Sequence, residues 1–501
     1  MRVWQAKSGR RLRGAALLGA LGVAATACGA QLPPSVMQQL RAAATTGTGG
    51  GGGSGANVAQ SATNTAGPAA AGPAGSSGAA TGGGGPAASV SVNGASTPAG
   101  ASSSASGGAP VGAGECSQWG TGAPGVSSTA VQVATADTNS GPLPGATAGE
   151  FRGAAAYLAM VNAQGGVCGH KLVGQEMDDG LDPAQGRSQF EKVQPQVFGF
   201  AGNLSVADSG YDDLIKSTGV PWVGAVVDSN WDVRNSPNVS PHSLQRVASD
   251  APFAWMRHQY PSAVKAAVLY TDVGGVTANL PPTEAAIKTA GFNIVYTAGL
   301  NPTAPDYTPQ VLSMESNGVQ MVYAFALEVN MQARLERDMT QQGFKPTIQS
   351  AELSYDTDYQ QLLGQEGNGW IDPLTYAPFL QPSVSSRYPG MSDFLKWTAQ
   401  VFPGAKNDLF SVEGWAYTAL FVQALRDVKG PLTRQNFVAA LQSETQWGAG
   451  GLEATSNPSN PAATENVANC FVMTAYQNGG WNVIWPTSGP FECNVGEVFK
   501  Y

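Results

Sequence analysis

The chain has 501 residues, of which 12% are charged, a formal net charge of −9 and three histidines. That balance supplies no basic surface for nucleic acid, whose phosphates demand one, and little histidine for metal or acid–base chemistry. The length allows more than one compact domain.

Arg2, Lys7, Arg10, Arg11 and Arg13 precede an apolar run from Ala15 to Ala27. This is the pattern of a secretory signal, too short to span a bilayer comfortably. The run ends Ala25-Thr26-Ala27-Cys28, a sequence like the bacterial lipobox, with Cys28 as the acylated first mature residue. An ordinary signal peptide cleaved nearby is the alternative. Residues 29–115 are dominated by Gly, Ala, Ser, Thr and Pro, with Arg41 and Glu115 as their only charges. Such a segment buries too little apolar area to offset its ordering entropy, so a disordered tether is expected, with a reach on the order of 50 Å. Loss of the five leader cations takes the net charge from −9 to −14. The expectation is an extracytoplasmic domain of the cell envelope, held to the membrane by a lipid.

Cys116, Cys168, Cys470 and Cys493 remain. Four cysteines in an exported chain read as two disulfides, and of the three connectivities proximity favours Cys116–Cys168 and Cys470–Cys493. No C-x-x-C occurs, and His170, His242 and His258 are scattered, so no metal site is expected.

"VQVATAD" (131–137) alternates as a strand, and 150–162 follows as an amphipathic helix ended by Gly165-Gly166. A strand is expected over 170–177, with Asp182 capping the next helix and Pro183 at its first position. Strands over 196–203 and 220–227 enclose a helix over 207–218. A second series places strands over 265–272, 293–300 and 319–326, with helices over 283–291, 306–317 and 330–343. An apolar helix covers 414–428, and Asn478-Gly479-Gly480 joins two apolar runs as a hairpin. Strands alternating with helices imply α/β architecture with parallel sheets, and two series imply two doubly wound lobes.

In such sheets ligands lie beyond the carboxyl ends of the strands. Those ends offer Ser140, Asn203, Ser205, Val227, Asp228, Trp231, Tyr270, Phe325, Glu328 and Glu352 as ligand-binding candidates. The chain lacks a nucleophile elbow, a phosphate loop, a dinucleotide fingerprint and an H-E-x-x-H, and no histidine stands at a strand end. The inventory suits binding rather than turnover, with no cofactor and no catalytic residue. Several candidates have a second reading. Ser205 fits a helix cap, Asp228 a turn acid, Glu352 a surface acid, and Tyr270 and Phe325 core aromatics.

"VNAQGGVCGHKLVGQEMDDGLDPAQGRSQFEKV", then "VLYTD", "AAIKTAGFNIVYTAGLNPTAPDYTPQVLSMESNGVQMVYAF" and "QQGFKP", resemble the leucine/isoleucine/valine-binding protein family. These are type I periplasmic binding proteins of ABC transporters. The resemblance covers most of Val131 to about Gly430. It implies two lobes joined by a hinge and closing on a small solute for an ABC permease. Lobe one would comprise 116–248 plus about 373–440, and lobe two about 249–372 plus about 441–501. It implies that Ser205 contacts the ligand from lobe one and that Glu352 occupies the place of the glutamate that receives a ligand ammonium. Departures are informative. Val226, Val227 and Asp228 replace a small-small-Thr group that meets a ligand carboxylate, and Val273, Gly274 and Gly275 stand where an aromatic is expected. Asp228 and Glu352 together favour a cationic or polyhydroxylated ligand over a zwitterion. A sensory receptor module on the same fold is the runner-up, and an envelope hydrolase comes third.

Overall fold

The computed structural model describes residues 116, 118–225, 227, 247–273, 276–277, 279–458, 470–493 and 498–500. Every described residue belongs to one unit. The expected leader, Cys28 and the tether, as well as Val226, Asp228 and Trp231, lie outside the described residues.

The first sheet is built from β1 (Ala130–Asp137), β2 (Lys171–Asp178), β3 (Gly199–Asn203) and β4 (Trp222–Gly224). All pair in parallel, in the order β2-β1-β3-β4. Helix α1 (Gly149–Ala163) follows β1, and α2 (Pro183–Val193) follows β2. Asp182 caps α2 through Ala184 N at 2.8 Å and Gln185 N at 3.2 Å. The helix expected over 207–218 divides into a 3-10 turn, Asp208–Gly210, and α3 (Asp212–Thr218). Between them Tyr211 takes a non-helical backbone (φ −140°), and its buried ring stacks on Phe190 at 5.5 Å. Burial of that aromatic outweighs continuation of a short helix. β4 is also shorter than expected, because the amide of Val227 turns away from the sheet to the Asp208 carboxylate at 2.7 Å.

After β5 (Val247–Ser249) and α4 (Ala251–Gln259), the chain alternates again. It runs through β6 (Lys265–Thr271), α5 (Leu280–Thr289), β7 (Asn293–Leu300), α6 (Thr308–Ser316) and β8 (Met321–Phe325). It continues as α7 (Val329–Gln342), β9 (Ile348–Ala351), α8 (Thr357–Leu363) and β10 (Trp370–Leu374). Three helices, α9 (Met391–Val401), α10 (Leu409–Asp427) and α11 (Arg434–Leu441), precede β11 (Val472–Gln477) and β12 (Gly480–Trp485). The second sheet has the order β12-β11-β10-β9-β8-β6-β7. Its parallel body ends in an antiparallel hairpin, where Asn478 (φ 55°) and Gly479 (φ 78°) make the left-handed pair that a two-residue turn requires. β13 (Val498–Lys500) pairs antiparallel with β5.

Helix α10 is apolar on all sides because it is covered on all sides: Val412, Ala416, Leu420 and Leu425 are fully buried. It crosses α1 backbone to backbone. A β-carbon at Gly153 would lie 2.1 Å from the Ser411 carbonyl oxygen, and one at Gly414 2.1 Å from that of Glu150. Any side chain at either position forces the two backbones to shift apart. An aromatic run of Tyr157, Trp415, Phe394, Phe379 and Tyr355, with successive centroids 4.9, 5.7, 6.4 and 5.2 Å apart, joins the core beneath the first sheet to that of the second.

Both expected disulfides are present, Cys116–Cys168 closing 52 residues and Cys470–Cys493 closing 23. Reduction should lower the melting temperature measured by differential scanning calorimetry, each bridge contributing about 2–4 kcal/mol. Gly414→Ala should destabilise by about 1–3 kcal/mol in urea unfolding, since α1 must shift to admit the methyl group. Gly480→Ala, which has no atom within 4 Å of the added carbon, should stay within about 0.5 kcal/mol of the parent.

Candidate functional site

The carboxyl ends of the first sheet are tied together by three carboxylates. Asp178 Oδ1 accepts the amides of Asn139 (2.9 Å), Ser140 (3.1 Å) and Gly180 (2.9 Å). Burial works against its ionisation, but the Ser140 hydroxyl and those amides hold its pKa below the ordinary value. Asp179 accepts from the Thr138 hydroxyl at 2.8 Å, from the Leu181 amide at 3.0 Å and from the Ser205 hydroxyl. Ser205 Oγ in turn accepts Ala207 N at 3.1 Å. Asp208 takes the Val227 amide. The acids closing β2 therefore make the turn and cap bonds that their position after a strand suggests.

The helices that follow these strands add charge at the same edge. Arg152, in the first turn of α1, pairs with Asp408 at 2.7 Å, and Asp408 caps α10. Glu176 accepts the Asn139 side-chain amide at 2.7 Å. Its pKa is raised by burial, with Asn139 and Arg152 among the opposing influences. Asp137 is fully buried beside Glu176, Asp178 and Asp179, and burial together with these three acids pushes it well above the ordinary range.

The carboxyl edge of the second sheet meets this one. Asn279, just before α5, donates to the Val227 carbonyl at 3.4 Å. Thr357 at the start of α8 donates to the Asn407 carbonyl at 3.2 Å, and Lys406 pairs with Asp358. Asp356 sits where Asp408, Lys406, Arg152 and Glu328 all act on it. Burial first, then Asp408, push its pKa up to about 7. Glu352 is partly exposed, and burial pushes its pKa up to about 7 against the opposing influence of the Tyr323 hydroxyl and the Ala326 amide. The second sheet thus contributes two acids at this edge, Glu352 and Asp356, that titrate near neutrality.

Each expected ligand residue can be placed against this geometry. Ser140 is exposed, with its amide on Asp178. Asn203 is fully buried, accepting Ala136 N at 2.9 Å and donating to the Val223 carbonyl at 3.1 Å, so it struts the sheet with both ends of its side chain occupied. Ser205 is buried in the Asp179 bond, and Val227 stands half-buried at the edge. Tyr270 and Phe325 pack with the apolar core on the α4 and α5 side of the second sheet. Glu328 caps α7 through Asn330 N and Met331 N, each at 3.0 Å. Asp228 and Trp231 lie outside the described residues. Arg152, Glu176, Asp208, Asp356 and Asp408 also belong to this edge. For Arg152, Asp208 and Asp356 the signal is the start of the helix after a strand, whereas Asp408 caps α10 after α9 and Glu176 lies within β2.

Among the described residues no group of His, Cys, Asp or Glu is placed to hold a metal ion, and no helix is long and apolar enough to cross a membrane. Glu336 is raised to about 7 by burial, like Glu352 and Asp356. A carboxyl raised in the folded state binds extra protons there between about pH 4.5 and 7, so stability grows as pH falls through that window and is lost as pH rises through 7. Calorimetry should accordingly give a higher melting temperature at pH 6 than at pH 8. The Glu336→Gln, Glu352→Gln and Asp356→Asn variants should each flatten the slope.

Residues 130–479 match the family described as periplasmic binding protein. The Leu/Ile/Val-binding protein homolog 7 of Brucella abortus (strain 2308) is 25% identical over 307 residues, covering 58% of this chain and 75% of that protein. The Leu/Ile/Val/Thr-binding protein of Salmonella typhimurium is 21% identical over 270 residues, covering 48% and 67%. In fold the chain is similar to a branched chain amino acid ABC transporter structure from Thermus thermophilus with bound valine, at TM-score 0.61 and 15% identity over 74% of this chain and 98% of that one. It is also similar to the fatty acid ABC transporter substrate-binding protein from Thermomonospora curvata, at TM-score 0.58 and 18% identity over 74% and 95%. With two α/β layers meeting at their carboxyl edges and a match across most of the folded region, the chain belongs to the periplasmic binding protein family and has the type I fold.

Proposed function

We propose that this protein is an extracytoplasmic solute-binding lipoprotein that captures a small polar molecule between the two carboxyl edges and delivers it to an ABC permease. The observation that carries the reading is the approach of the two sheets through Asn279–Val227, Thr357–Asn407 and Lys406–Asp358. Elements of separate sheets that touch at their carboxyl ends make a site whose two walls part and close, with the solute favouring the closed state by its contacts to both. The family is described as periplasmic binding protein, and one structure of similar fold holds bound valine, which supports a binding role.

In this reading lobe one comprises 116–248 with about 373–440, and lobe two the remainder of the folded chain. Cys28 carries the lipid, and the Gly/Ala/Ser segment after it holds the domain clear of the membrane. Glu352 meets the ligand from lobe two, with Ser140, Val227 and Glu328 lining the approach.

A thermal-shift screen of the mature domain against amino acids, amides, polyamines, sugars and nucleosides should find a solute that raises the melting temperature by mass action. Glu352→Gln should weaken that solute by roughly tenfold or more, the loss of one charge-assisted hydrogen bond. An unchanged affinity would remove Glu352 from the site. For a cationic solute, affinity should rise between pH 6 and pH 8 as the Glu352 and Asp356 carboxyls, both near 7, lose their protons. In cell fractionation Cys28→Ala should move the protein from the membrane pellet to the soluble fraction.

A further inference from the structure

The groups best suited to hold a ligand anion at the first sheet are already taken by the protein itself. Hydroxyls and backbone amides at the carboxyl edge of a parallel sheet are the natural partners of a ligand carboxylate or phosphate. Here the Thr138 and Ser205 hydroxyls both donate to Asp179, and the Val227 amide donates to Asp208 at 2.7 Å. The amides of the turn after β1 go to Asp178. Asp179 is fully buried and Asp208 2% exposed, so these acids are fixed parts of the edge rather than side chains that swing aside.

We infer that Asp179 and Asp208 are specificity-determining residues that close the anion subsite of the cleft, so that the solute carries no carboxylate and is an amine, amide or polyol. The inference rests on the solute-capture reading above. A carboxylate placed at this edge finds these donors spent and adjoins two acceptor carboxyls, and leaving it unpaired costs several kcal/mol when water is excluded. An amine or hydroxyl brings donors of its own to an edge rich in acceptors.

The test compares solutes that differ only in the carboxylate: leucine with isoamylamine and leucinamide, arginine with agmatine, and ornithine with putrescine. Affinities are measured by calorimetry on the mature domain with both disulfides intact. The expected result is that at least one carboxylate-free member binds, and binds roughly 100-fold more tightly than its carboxylate partner. In Asp208→Ala, with native circular dichroism, the freed Val227 amide should strengthen the carboxylate partner by roughly tenfold. A carboxylate that binds the parent protein as tightly as its carboxylate-free partner overturns the inference and leaves solute capture standing. A folded Asp208→Ala with unchanged selectivity overturns it as well. Failure of every compound in a broad screen to bind overturns both readings.

Discussion

Asp179 ties three chain connections into one edge. Its carboxylate accepts from Thr138 after β1, from Leu181 within its own turn and from Ser205 after β3. A buried carboxylate without partners costs several kcal/mol, whereas one saturated with donors becomes a rigid node. The turn after β1, the entry to α2 and the 3-10 turn after β3 all take their positions from this node. Asp208 extends the same device to β4 by holding the Val227 amide. The carboxyl edge of the first sheet is therefore preorganised by its own acids, and its chemistry toward a ligand follows from what those acids have already used.

A second constraint acts from behind the sheet. Gly153 and Gly414 let α1 and α10 touch along their backbones. That contact brings the first turns of both helices, with Arg152 and Asp408, to the carboxyl edge. Helix starts at this place add partial positive charge to a region otherwise dominated by acids. The aromatic run from Tyr157 to Tyr355 then links this helical layer to the second sheet, so that packing and electrostatics meet where the two walls approach.

Much of this was legible in the residues. The strand-helix alternation, the Asp182-Pro183 cap, the Asn478-Gly479 turn and the cysteine pairing depend on local chemistry, and the structure shows each of them. Local chemistry was weaker where burial competes with it. Tyr211 breaks a helix that periodicity extends, because its ring is worth more in the core than one further turn is worth in hydrogen bonds. Asn203 stands at a strand end like a ligand contact, yet its amide is consumed across the sheet. Strand-end position says which residues lie near a site and does not say which of them have partners to spare.

The sequence by itself determined the α/β class, the succession of elements and the disulfide partners, because periodicity, capping and cysteine spacing act over a few residues or obey simple counting. Only the tertiary structure decided which polar groups remain available to a solute. Thr138, Asp179 and Ser205 are far apart in the chain, as are Arg152 and Asp408. Their bonds exist because parallel pairing and a glycine-lined helix crossing bring distant segments to one edge.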